Sequence, residues 1–248
     1  MNRNLTIQNL AIAIATKNHN PSILTFDFLK YSDIIPSDWE LARQPVVNNQ
    51  VSQLVFRNGV SLAAQQDLLS FVEIVGTKDI SEVQIPAIAH NYVRALPNVE
   101  YQAVGIDIRG YITANQLGEE AGVENYIKTL LAPAPWQEVG NAPVKASIQL
   151  AFSLDRGQLS LNINEGKLYI TEEETVPIVM FYGNFSYGAE GNTKDTRLQS
   201  IHQLIDNWQE DLKTYLDIIN TKFLSSQIIL RDAPESEFIA PELLIPQV

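Results

Sequence analysis

The sequence predicts an α+β fold: antiparallel meander sheets with helices packed on one face and a long C-terminal helix. Three observations carry this. Val144, Ala146, Ile148, Leu150, Phe152 and Leu154 alternate with Lys145, Ser147, Gln149, Ser153 and Asp155, the period of a strand with one buried face. Further on, Leu198, Ile201, Ile205, Trp208, Leu212, Tyr215 and Ile219 recur at steps of three and four, which draws one apolar stripe along a helix over residues 193–224. With 248 residues, 45% of them hydrophobic, the chain has enough apolar surface to bury that stripe in a sizeable core.

The elements follow in order. Residues 5–15 alternate, with Leu10, Ile12 and Ile14 on one face. A turn at Asn18, His19, Asn20 and Pro21 is expected to return the chain as a second strand over 23–29, closing a hairpin. Ser37 or Asp38 is placed to cap a short helix through 39–43. Strands follow over 51–57 and 60–64, and the Asn58-Gly59 pair between them suits a type I′ turn, whose two central residues need positive φ. A third strand over 68–75 completes a meander. A helix over 81–96 ends at Pro97.

The second half starts with a strand over 99–113, with Val104, Ile106, Ile108 and Ile112 on one face. Helical spacing resumes over 118–131, and a loop rich in Pro, Ala and Gly spans 132–143. Three or four strands with turns at Asp155-Arg156-Gly157 and Glu165-Gly166 lead to a loop over 183–192 and then the long helix. The order of element types, strand, helix, meander, helix, occurs over 1–97 and again over 98–224, with 225–248 as a tail. Two halves related by a pseudo-twofold would give that order, although no residue-level identity joins them.

Composition narrows the function classes. The formal charge of −12 repels phosphate backbones and anionic lipid, so neither nucleic acid nor a membrane is an expected partner. The absence of cysteine removes disulfides, thiolate metal sites and cysteine nucleophiles, and points to the cytoplasm. The sequence holds no phosphate-binding Gly-rich loop, dinucleotide fingerprint, nucleophile elbow or His-Glu-x-x-His pair. His19, His90 and His202 fall in a turn and two separate helices, a spacing that gives no metal centre. No cofactor and no metal is expected, and the balance leans away from an enzyme.

The candidate ligand-binding residues are Asp107, Arg109 and Tyr111. Alternate strand positions share a face, so a carboxylate, a guanidinium and a phenol stand in a row opposite the isoleucines. The competing reading is an ion pair on a solvated sheet face. Gly105 and Gly110 beside the row permit close approach of another backbone, or mark a bend. The loop over 183–192 precedes a helix whose free amides suit an anion, and equally suits a plain strand-to-helix connection. Glu172, Glu173 and Glu174 read as a solvated hairpin tip.

The tail carries Pro234, Pro241 and Pro246, yet Phe238, Ile239, Leu243, Leu244 and Ile245 are too many large apolar groups to leave in water. They are the candidate partner-binding residues, docking as an extended peptide on another chain, like or unlike, or else folding back on their own body. Two functions stand: an interaction or accessory protein acting through protein partners or as a homo-oligomer, and a small-molecule binder or metal-independent enzyme with a cavity between the sheet and the long helix.

Overall fold

The computed structural model describes residues 5–117, 122–141, 144–171 and 174–225. Among the described residues nine strands form one antiparallel sheet: β1 (Thr6–Lys17), β2 (Val46–Val47), β3 (Ser52–Val55), β4 (Val60–Ala64), β5 (Leu68–Ile74), β6 (Glu100–Thr113), β7 (Ile148–Leu154), β8 (Gly157–Tyr169) and β9 (Thr175–Gly188). Their order is β2-β3-β4-β5-β1-β6-β9-β8-β7. The two long strands β1 and β6 lie side by side at the centre, running from Thr6 opposite Tyr111 to Lys17 opposite Glu100. Each borders the last strand of its own meander, β5 for β1 and β9 for β6. Strands from before and after residue 98 therefore share one sheet.

Among the described residues there are six α-helices: α1 (Phe26–Tyr31), α2 (Ile85–Ala95), α3 (Ala114–Leu117), α4 (Gly122–Thr129), α5 (Lys194–Asp206) and α6 (Trp208–Ile218). None is long and apolar enough to cross a membrane. The alternation in the strands decides what they meet. Leu10, Ile12, Ile14, Phe71, Ile106, Ile108, Phe181 and Phe185 are buried, and the strand pairing puts them on one side of the sheet. On that side Tyr92 of α2 meets the Phe71 ring edge-on at 5.6 Å, and Tyr126 of α4 meets Phe181 at 6.5 Å.

Tyr215 of α6 is fully buried, with its Oη donating to the carbonyl of Phe181 at 2.8 Å. Two glycines make its seat. A Cβ on Gly183 would lie 2.8 Å from the ring's Cδ2, and one on Gly110 would lie 3.0 Å from its Oη. Gly110 thus admits a tyrosine and the side chain of Leu5 rather than another backbone.

Several expectations change. The expected return strand over 23–29 is a 3-10 turn (Pro21–Ile23) followed by α1, because the Thr25 hydroxyl accepts from the amide of Phe28 and caps a helix start. The expected helix over 39–43 is absent; Leu41 bridges to Phe56 of the meander instead. At Asn58-Gly59 only Gly59 has positive φ, so the turn is not type I′, and the Asn58 side chain accepts from the amide of Val60. Glu165 and Gly166 run on within β8, paired with Val179 and Ile178, which leaves three strands in the second meander.

The long helix is not continuous. It breaks at Asn207, whose φ of −82° and ψ of 4° lie in the sparsely populated bridge region, and it ends in a π-turn segment (Ile219–Phe223). Ile201, Ile205, Trp208, Leu212, Tyr215 and Ile219 are buried nonetheless, so the apolar stripe carries across the break.

Candidate functional site

The opposite side of the sheet is built from the other half of each alternation, and small and polar residues fill it. One row across the strands reads Val72, Ala11, Asp107, Asn184, Ser160 and Ala151. The next reads Ser70, Ala13, Gly105, Ser186, Gln158 and Ser153. These side chains are half-buried or exposed where their neighbours on the buried face are enclosed.

The sequence-derived row lies here. Asp107 pairs directly with Asn184 of β9, Arg109 with Tyr182, and Tyr111 with Met180. The Tyr182 hydroxyl donates to Asp107 Oδ1 at 2.5 Å and the Asn184 amide donates to the same oxygen at 2.7 Å. Burial pushes the Tyr182 phenol well up, and its bond to Asp107 pushes the same way, so it remains a donor at physiological pH. The Arg109 guanidinium lies 5.6 Å from the centre of the Tyr182 ring, within cation–π range. Among the described residues no ion pair joins Asp107 to Arg109. The pairing brings Asp107 and Arg109 to one cluster through Tyr182 and leaves Tyr111 one position beyond it. Tyr182 and Asn184 escaped the sequence reading, although Met180, Tyr182, Asn184 and Ser186 alternate with Val179, Phe181, Gly183 and Phe185; that period was the available signal.

Other polar groups have evident structural partners. Glu73, at the end of β5 and 1% exposed, accepts from the amides of Gln84 and Ile85 at 2.7 and 3.1 Å and from Lys78 Nζ at 3.0 Å. It holds the start of α2, where the free amides and the helix dipole favour an anion. Asp211 of α6 is held above the usual carboxylate range, by burial first, while its bond from Tyr187 and the charge of Arg156 act against the shift. The Tyr187 hydroxyl donates to it at 2.6 Å, and Arg156, in the β7–β8 turn, bonds Glu210 at 2.8 Å. This ties the turn to α6.

The three histidines separate. His19 is buried, its Nε2 3.1 Å from the Tyr92 hydroxyl. His90 of α2 and His202 of α5 meet with their rings tilted at 46° and their centroids 4.0 Å apart, a meeting that spacing within either helix does not disclose. Among the described residues no group of three or more His, Cys, Asp or Glu is arranged to hold a metal.

The expected loop over 183–192 is shorter, since β9 runs to Gly188. At the start of α5 the Thr193 hydroxyl accepts from the amide of Thr196, and Thr196 returns the bond. The helix supplies its own cap there, beside a cavity of about 350 Å³ lined by residues including Tyr101, Glu100, Lys194 and Arg197. Glu172 and Glu173 of the acidic run, and the tail residues Phe238, Ile239, Leu243, Leu244 and Ile245, lie outside the described residues.

Compared with known proteins, the chain matches no family model and no curated sequence.

Proposed function

We propose that this chain is a non-enzymatic interaction protein that holds a protein partner against the outer face of its sheet, the helices being gathered on the other. The observation that carries this reading is the contrast between the faces at the centre of the sheet. Ala11, Ala13 and Gly105 leave room for an incoming chain, and beside them stand Asp107, Tyr182, Asn184 and Arg109 with hydrogen-bonding and cation–π capacity. Such a surface offers backbone-close contact flanked by a polar anchor, the kind of patch that fixes orientation in a binding site. The tail residues 238–245 would add a second contact to the same partner or another chain.

The strand-helix-meander-helix order supports a further part of the proposal: two halves related by a pseudo-twofold between β1 and β6, with the outer face continuous across both. A small molecule held by the same polar cluster would sit on the outer face, not in a cavity between the sheet and the long helix, since Asp107 and Arg109 stand opposite the face that Tyr215 packs against; this second reading predicts a retained compound. A photo-crosslinking side chain placed at Ala13, at Ser186 or, as a control on α6, at Lys213 tests the reading in the native source. Cross-links to one protein from Ala13 and Ser186, lost when Arg109 becomes Glu, are expected. Cross-links only from Lys213, or a compound released from the protein and no protein partner, would overturn it.

A further inference from the structure

The two edges of the sheet are built differently. At one end β2 is two residues long, both exposed, a short edge that offers little to another strand. At the other end β7 spans seven residues, pairs only with β8 among the described residues, and contains no charge, proline or register break. Ile148, Leu150, Phe152 and Leu154 on its inner side are only half-buried although they pack on the core. The alternation continues backwards through Ala146 to Val144. Among the described residues, Ile148–Leu154 thus carries none of the charges, prolines or bulges that protect an edge from a further strand.

We infer that β7 is a homodimer interface, in which β7 of a second copy pairs antiparallel with it about a twofold axis at Leu150. Antiparallel self-pairing about residue 150 sets each position opposite the one equally far on the other side. Leu150 faces Leu150, Ile148 faces Phe152, and Ala146 faces Leu154, so the half-buried row is continued by apolar side chains of the second copy. Beyond the paired residues, Lys145 just before the strand and Asp155 in the turn just after it come together at the ends of the seam, twice over by symmetry. Both are exposed, and opposite charges at such positions select register more than they add affinity. A twofold at Ala151 would instead set Asp155 opposite Ser147. The complementary charges therefore favour Leu150. They also offset, locally, the repulsion between two chains of net charge −12. This inference rests on the edge and is independent of the outer-face reading.

The test uses the full chain. Sedimentation across a concentration series is expected to show a monomer–dimer equilibrium for the native protein. Leu150→Lys and Leu150→Glu alone should each be monomeric with melting curves that remain cooperative, because like charges meet on the axis; an equimolar mixture should recover the dimer. Since the chain has no cysteine, Leu150→Cys provides a second reading. Directly opposed residues fall within the roughly 4.4–6.8 Å between Cα atoms that a disulfide spans, so this variant should cross-link on oxidation. Ala151→Cys, offset diagonally from its counterpart by roughly 7–8 Å, should not. A native protein that is monomeric throughout, a dimer that survives both charge variants, or a cross-link from Ala151→Cys alone would overturn the proposal.

Discussion

Strand β6 carries two glycines, and they show how differently the two faces of the sheet are made. Gly110 faces the helices, where Leu5 and the Tyr215 hydroxyl occupy the space a Cβ would need, down to 2.7 Å. Gly105 faces the other way, where a Cβ would meet its nearest neighbour, Asn184, at an ordinary 3.4 Å. The same residue type is required on one face by packing and on the other leaves unused room. Buried interiors transmit such volume changes because they are close-packed, whereas a face bordered by solvent absorbs them. Stability is therefore concentrated on one face, and the other is free to vary its chemistry.

The largest break in that comparison should come from Trp208→Ala on α6. Trp208 is buried in the core, and truncation of a large core aromatic costs about 3–5 kcal/mol. A denaturant titration measures it, and an unchanged midpoint would remove the helix from the packing that defines the buried face. Next in size is Gly183→Ala, which forces a methyl group against the Tyr215 ring for about 1–3 kcal/mol. Its counterpart Gly105→Ala should remain within about 0.5 kcal/mol, since the room exists and alanine is less costly than glycine in a strand. Equal losses for the two would erase the difference between the faces.

Acid should act through the buried side. His19 and His202 are both held below the usual imidazole range, in each case by burial first; for His202 the neighbouring His90 and Arg94 act the same way, against Asp206. A lowered folded value means that the unfolded chain binds the proton more readily. The stability this contributes is complete above about pH 6.5, the unfolded imidazole range, and is lost as pH falls through the folded values. Melting temperatures followed downward from about pH 6.5 should fall less steeply for His202→Gln than for the native chain. A native curve flat through that window would mean that neither imidazole is withheld from water. The smallest effect is expected from Arg109→Ala on the outer face, within about 0.5 kcal/mol by thermal unfolding. A loss of several kcal/mol would make Arg109 a structural partner of Asp107 and Tyr182, and would weaken its assignment to binding.

What could be seen in the amino-acid order was periodicity. The alternation in β1, β6 and the 52–74 meander, and the apolar stripe through Ile201, Trp208 and Tyr215, each follow from side-chain direction within one element. They determined which residues are buried, and they put Asp107, Arg109 and Tyr111 on one face. Local competition is where the reading failed. Residues 23–29 have an acceptable strand pattern, and the Thr25 cap turns them into a helix; the stripe through Asn207 hid a break in the backbone. Only the tertiary structure decided which strands are neighbours. The pairing of β1 with β6 joins the two meanders in one sheet, and that of β6 with β9 brings Tyr182 and Asn184 to Asp107. The same assembly brings the His90 ring against that of His202. These contacts join residues far apart in the chain, and a period of two or of 3.6 says which way a side chain points without saying what will stand opposite it.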